Sequence, residues 1–510
     1  MPTLEHNRRW LVLAVLCIAV LLVVIDNTII NVALPTFSRD LHASNTSLQW
    51  IVDGYSLPFA GLLLAAGGLG DRIGRKRLIL VGLFCFGAFS LLASTSTSVA
   101  TLLTARALMG SSAAFIFPST LATLTVVFTN DDERAKAFGF WGATAGLAVA
   151  LGPIAGGELI THFWYGSIFL VNVPLCLIAI AAIALVVPES KSPKKRRLDI
   201  LGLLLGTFGV TALTLAIIEG PSWGWRTAST LGLFGAAAAL LIGFVRYEHR
   251  REGPLLDVRV FRNRGFSAGA GSIAVNFFCL FGFIFLVTQY FQLVRGYSAL
   301  SAGVRTLPFA AVVAVLTPVS AIAALKFGAR RVVSVGLVFF GLGLLWMTFI
   351  GDRAAYFGPV VGSMVVLALG FSLVNAPSTA AVMETLSPEQ VGSGAAVNET
   401  TREIGGTLGV AIVGSVFASL FGPAARRVFL PFLHKGMTMA QVNVAQSSTQ
   451  AAQATVLHFP QAMRAELNRS IQNAFMNGFH RACLVAAGVA FVAAILAFLN
   501  LPGVKTPNAK

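Results

Sequence analysis

About fourteen apolar runs constrain the fold of this chain more than any other feature. They fall near residues 10–34, 48–70, 78–96, 101–128, 136–160, 165–188, 199–218, 228–245, 266–292, 302–325, 331–350, 355–382, 393–421 and 480–501. Most reach about 20 residues, the length at which an α-helix crosses a hydrocarbon core of roughly 30 Å. A β-barrel would instead need alternating runs of about 10. The expected fold class is an all-α membrane protein of about 14 spans. Charged residues make up 11% of the 510 positions, against about 25% in ordinary soluble domains. The length is therefore taken up by spans. The first run is too long for the apolar core of a signal peptide and lacks a clear small-residue cleavage site, so it reads as the first span.

An even number of spans puts both termini on one side. If that side is cytoplasmic, it also holds DRIGRKR (71–77), KSPKKRR (191–197), the Arg-rich stretch 246–264 and KFGARR (326–331). The opposite short loops hold isolated bases such as Arg39, Arg226, Arg295 and Arg353. This asymmetry is the signature of the positive-inside rule. It accounts for the net charge of +16 without nucleic acid, for which no basic soluble module exists. Cys17, Cys85, Cys176, Cys279 and Cys483 all lie in apolar segments with no short-spaced pair. Neither a disulfide framework nor a metal site is indicated. HExxH, Walker A and GxSxG motifs are absent, which leaves hydrolase and ATPase readings without support.

Charges inside the runs need a reason. An Asp at a span centre costs about 2.5–3.5 kcal/mol on insertion scales, yet Asp26 sits within VVIDNTIINVALP (23–35). Asp53 lies in LQWIVDGYSL (48–57), and Arg106 lies in LTARALMGSSAA (103–114). Asp26 is about 9 residues, or about 13 Å, from the far end of its span. Similar depths for Asp53 and Arg106 would place all three in one layer. Burial and a neighbouring guanidinium act oppositely on a carboxylate's hold on a proton, so a changing distance between them would load and release one. The alternative is a structural ion pair. Glu399 and Glu403, in GAAVNETTREIGGTLGVA (394–411), are four residues apart and share a helix face. Arg402 could pair with Glu399 instead of leaving both free. Phe277, Phe278, Phe281, Phe283, Phe285 and Tyr290 crowd the ninth span. Aromatic faces attract organic cations, although most such rings merely pack.

Several stretches together resemble a known family. GGLGDRIGRKRLI (67–79) is similar to the signature loop of the major facilitator superfamily, through Gly67, Asp71, Arg72, Gly74 and Arg75. Taken alone it could be only a topology-setting basic loop. LTARALMGSSAA resembles the superfamily's L-x-x-R-x-x-q-G motif, with Met109 where Gln is usual. ALGPIAGGEL (150–159) resembles the antiporter motif of drug exporters at Gly152, Pro153, Gly156 and Gly157, with Ala148 replacing the first Gly. A generic small-residue packing face is the other reading of it. The opening stretch matches the D-x-T-v-v-N-v-A-L-P motif of fourteen-span drug:proton antiporters at Asp26, Thr28, Asn31, Ala33, Leu34 and Pro35. FLVNVP (169–174), LDILG (198–202), IEGPSWGW (218–225), PLLDVRVF (254–261) and QYFQLVRGYSALSAGVRTLP (289–308) agree. WYGS (164–167) departs from the usual Trp-Arg-Trp.

The resemblance implies a major facilitator fold, with a six-helix bundle in 1–190, two extra linking helices in 191–250 and a second bundle in 251–510. IGRKRL (73–78) and FGARRV (327–332) fit an internal repeat. A long extracellular loop would occupy 422–479. Within it Phe459, Met463, Leu467, Ile471 and Phe475 recur every four residues, which suggests either an amphipathic helix over the outer mouth or membrane surface, or a polar connector.

The implied activity is proton-coupled export of amphipathic, often cationic, drugs by alternating access. The protein would sit in the cytoplasmic membrane with both termini cytoplasmic. It would use the proton gradient and no cofactor, and would be a monomer. Its partners would be small-molecule substrates, protons and the lipid bilayer. Asp26, Asp53, Arg106, Glu399 and Glu403 would couple protons. Asp53, Glu399 and Glu403 would also meet substrate, since relatives with acids at both of the last two positions resemble quaternary-ammonium exporters. Gly152 and Pro153 would shape the export helix, with Gly156 and Gly157 part of the same conformational motif, and Asp71 and Arg75 would gate or brace the cytoplasmic side. Three other readings remain: export of one endogenous compound, a non-transporting sensor or scaffold, and a proton-driven importer. The importer is disfavoured by ALGPIAGGEL.

Overall fold

The computed structural model describes residues 6–41, 43, 45–191, 199–251, 254, 256, 258–387, 390–435 and 437–503. Most of KSPKKRR, the start of LDILG and parts of PLLDVRVF lie outside them. Among the described residues are 14 helices long and apolar enough to cross a membrane, and no strand.

In chain order these helices are α1 (His6–Asp40), α2 (Asn45–Ile73), α3 (Arg75–Ser94), α4 (Val99–Val127) and α5 (Asp131–His162). Then come α6 (Asn172–Val186), α7 (Ile200–Trp223), α8 (Ala228–Arg250), α9 (Arg264–Gln289) and α10 (Leu307–Phe327). The last four are α11 (Ala329–Met347), α12 (Val361–Met383), α13 (Val391–Phe429) and α14 (Gln461–Asn500). They alternate in direction, so both described ends share one face, here called the termini face. The other is the far face.

Local chemistry sets the helix starts. The Ser98 hydroxyl accepts from the Thr101 amide ahead of α4. The Asn130 side chain accepts from the Asp132 and Glu133 amides ahead of α5, whose first turn carries three acids that complement the helix dipole. Two starts on the termini face match each other. Gly74 (φ +116) precedes α3 and Gly328 (φ +82) precedes α11, in a backbone region that a side chain would strain. Just beyond each, an amide ties back to the end of a later span: Arg75 N to Ser190 O at 2.8 Å, and Arg330 N to Pro502 O at 3.1 Å. The two similar loop sequences thus build two similar corners.

The apolar core is divided unevenly. One cluster joins residues of α1–α6 to the termini-face ends of α9, α12 and α13, through Phe266, Ile273, Met383, Val391 and Ala395. A second cluster fills the far-face half of the last six spans and contains no residue before Phe278. The two bundles therefore share a core towards the termini face, and the second bundle has its own core towards the far face. Of the extra pair, α7 lies between α2 and α13. A Cβ at Gly61 would strike Thr211, and Trp225 Nε1, just past α7, donates to Ser415 Oγ at 3.2 Å.

The stretch 422–479, expected as a long loop, is mostly helical. α13 runs 39 residues and α14 40, about 60 Å each, which is twice the hydrocarbon thickness. Both project past the far face. Short helices Met439–Ser447 and Thr449–Val456 fill the space between them. The four-residue apolar stripe is explained by burial within the protein. Leu467, Ile471 and Phe475 join the second core, and Phe475 packs on Phe417 of α13 with centroids 5.2 Å apart.

Candidate functional site

Asp26 and Arg106 meet. Arg106 Nη1 donates to Asp26 Oδ2 at 2.8 Å, and neither side chain is exposed. Asn172 Nδ2, from α6, donates to the other Asp26 oxygen at 2.6 Å and lies 3.4 Å from Ser90 Oγ of α3. Arg106 Nε donates to the Ile51 carbonyl at 3.2 Å, and its guanidinium lies 4.4 Å over the Tyr55 ring. Gly110, one turn after Arg106, lets α2 approach so closely that any Cβ there would strike the Tyr55 carbonyl. One buried ion pair thus pins α1, α2, α3, α4 and α6 together.

Asp53 lies two residues before Tyr55 on α2. At 3.6 residues per turn it points about 200° away from Tyr55, and Tyr55 is the residue that faces Arg106. Asp53 is an electrostatic neighbour of Glu403 on α13. Both side chains are partly accessible.

On α13 the two glutamates differ. Glu399 is buried. It accepts from Asn398 Nδ2 at 2.7 Å and lies 3.6 Å from Arg402 Nε. Arg402 Nη2 donates to Asn375 Oδ1 at 3.2 Å and to Thr379 Oγ1 at 3.1 Å, both on α12. The guanidinium lies over two rings, Trp141 of α5 at 4.7 Å and Phe277 of α9 at 5.0 Å. Trp141 is itself fixed by donating from Nε1 to Thr120 Oγ1 at 3.0 Å. Glu403, one turn on, stays partly open. A ring of carboxylate, guanidinium and aromatic groups from both bundles therefore lies at mid-depth. Among the described residues no three His, Cys, Asp or Glu side chains converge to hold a metal ion.

The termini-face loop closes on the second bundle. Arg75 Nη2 donates to Asp71 Oδ1 at 2.7 Å, while Arg72 points to solvent. The Asp71 carboxylate fills the space beside Gly392, in the first turn of α13, where a negative charge meets the positive end of the helix dipole. A Cβ at Gly67 would lie 2.6 Å from the Gly392 carbonyl oxygen and 2.7 Å from Ala396 Cβ. The α5 glycines serve two partners. Gly152 and Gly156 admit Thr28 and Ile29 of α1, while Gly157 faces Leu300, in the short helix Ala299–Val304. Pro153 packs on Gly303 of that same helix.

The description Major Facilitator Superfamily belongs to the family model that matches residues 16–410. The chain belongs to this superfamily. Among its relatives is the multidrug efflux pump LfrA of Mycolicibacterium smegmatis, 36% identical over 96% of each chain. Another is the tetracenomycin C resistance and export protein of Streptomyces glaucescens, 31% identical over 97% of this chain and 92% of that one. The methyl viologen resistance protein SmvA of Salmonella typhimurium is 31% identical over 94% of this chain and 96% of that one. The crystal structure of the human organic anion transporter MFSD10 (TETRAN) has a TM-score of 0.62 at 14% identity, over 96% of this chain and 99% of that one. That likeness concerns the fold alone.

Within this superfamily member, sequence reasoning missed Tyr55, Asn172, Trp141, Asn375 and Thr379. Asn172 carried a signal, an amide inside an apolar span. The others are brought together only by the meeting of helices far apart in the chain.

Proposed function

We propose that this chain is a proton-coupled exporter of amphipathic organic cations in a cytoplasmic membrane. The observation that carries the reading is the set of carboxylates between the bundles, Asp53, Glu399 and Glu403, beside the Trp141 and Phe277 faces. Carboxylates at this depth are costly unless they bind a cation or a proton, and aromatic faces add attraction for organic cations. The names of the relatives support drug export. Both termini are cytoplasmic in this reading, which the basic residues of the termini-face loops support. The shared core and the Asp71–Gly392 contact then close the cytoplasmic side, so the molecule faces outward. The first six and last six spans rock as two bundles about the site, with α7 and α8 as the linking pair.

Everted vesicles carrying the protein, under an imposed proton gradient, test this with ethidium and tetraphenylphosphonium. Gradient-dependent movement of either cation, lost in an equally abundant Glu399→Gln variant, is the expected result. If neither cation moves, the reading fails. Export of a single compound is the second reading, favoured by relatives such as the tetracenomycin C exporter.

A further inference from the structure

Arg402 occupies the kind of place an organic cation would choose. Arg402 is 5% exposed, its guanidinium lies over both the Trp141 and Phe277 rings, and the Glu399 carboxylate is 3.6 Å from Nε. The Trp141 ring is preset by Thr120, so the face needs no rearrangement to receive a cation. Yet the fit of Arg402 is incomplete. Its Nε has no hydrogen-bond partner among the described residues, and Glu399 stands beyond hydrogen-bonding distance from it. A guanidinium usually takes a carboxylate with two parallel bonds. Here it forgoes them to stack on rings. The side chain is long and flexible, and one of its two rings belongs to the other bundle.

We propose that Arg402 is a tethered competitor for the substrate. A monovalent organic cation with a large, polarisable aromatic head takes the Trp141, Phe277 and Glu399 positions by displacing the Arg402 guanidinium. This rests on the reading of the chain as a cation exporter, and names the specificity-determining residue of that site. Arg402 raises the threshold for entry. Weakly bound metal-like or ammonium ions fail to displace it, while cations with large polarisable heads succeed.

Binding of tetraphenylphosphonium to the purified full-length protein by calorimetry tests this. Arg402→Ala binds about tenfold tighter than wild type, the scale of one cation–π contact. Millimolar guanidinium chloride reverses that gain in Arg402→Ala and leaves wild type unaffected. Arg402→Lys, still charged, gains less. Glu399→Gln with Arg402→Ala, which leaves no buried carboxylate unpaired, shows no gain. A measurement on wild type needs no variant. Saturating tetraphenylphosphonium exposes Arg402 to the arginine reagent phenylglyoxal, read by peptide mass. Equal or weaker binding by folded Arg402→Ala, or protection of Arg402 by the ligand, overturns the proposal. Should wild type neither bind nor move any organic cation, the export reading itself falls. A wild type that transports cations while Arg402→Ala gains nothing sinks this inference alone.

Discussion

Arg106 and Asp26 form an ion pair at 2.8 Å that no solvent reaches. Removing one partner of such a pair leaves a buried charge uncompensated and costs about 3–5 kcal/mol, whereas replacing both by apolar groups is often neutral. Asp26→Asn therefore lowers thermal stability, and Asp26→Leu with Arg106→Met recovers most of it. The informative readout is proton-driven efflux by the stable double variant. With a proton-handling role for the pair, the double variant is folded and inactive. Efflux at the wild-type rate would make Asp26 a structural anchor.

The Asp71 carboxylate lies against Gly392 in the first turn of α13, and in the closed-face reading proposed above it helps hold the termini face shut. A charge at a helix N-terminus contributes about 0.3–1 kcal/mol, and up to about 2 when partly buried. Asp71→Asn therefore shifts the closed population by up to about thirtyfold. Labelling of an Ala396→Cys thiol with a maleimide, in a chain otherwise cleared of reactive cysteines, rises accordingly. Unchanged labelling would mean that packing around Gly67 and Gly392 keeps the face closed without the charge.

Tyr297 sits between the ninth and tenth spans on the far face. Arg295 Nη2 donates to its hydroxyl at 3.4 Å, and the Arg305 guanidinium lies 3.9 Å over its ring. These cations hold its ionisation below the usual tyrosine value, the Arg295 hydrogen bond first among the causes. A depressed folded value stabilises only where the folded form is ionised and the unfolded form is not. The contribution is absent at neutral pH, grows as pH rises through the depressed value and is complete above about 10. In an alkaline absorbance titration, Tyr297→Phe removes the phenolate step that appears at lowest pH. The stability gap between wild type and this variant widens in favour of wild type over the same window. A step that survives the substitution would assign it to another tyrosine.

The spans and the two charged levels were legible because each rests on a short-range rule. Apolar runs of bilayer length become helices, and a charge inside one needs a partner. Asp26 and Arg106 announced themselves in this way, and so did Glu399 beside Arg402. The pairing of Asp53 was not legible from depth alone. Depth fixes height along a helix, while rotation about the axis decides which neighbour a side chain meets, and Tyr55 took the Arg106 side. Trp141 and Asn375 were invisible for a related reason. Their functional meaning comes from Arg402, which reaches them only after helices from both bundles have packed. The segment 422–479 was polar on average, and its apolar stripe found partners on α13 that composition does not reveal.

Asp53 and Glu403 are electrostatic neighbours on helices of opposite bundles, each partly accessible. Two carboxylates in one low-dielectric space repel until a cation or proton lies between them. A single positive charge can be satisfied by Glu399 alone, so it needs this second pair less. A dication needs two anionic partners at once. Asp53→Asn and Glu403→Gln should each cut efflux of a dication such as methyl viologen by about tenfold, one lost charge contact, and change tetraphenylphosphonium efflux by less than about threefold. The double variant should be no worse for the dication than either single one, because the pair acts as one unit. Transport in vesicles at matched protein abundance measures all three. Equal losses for both substrates would mean that these acids carry the coupling proton and do not count the charge of the cargo.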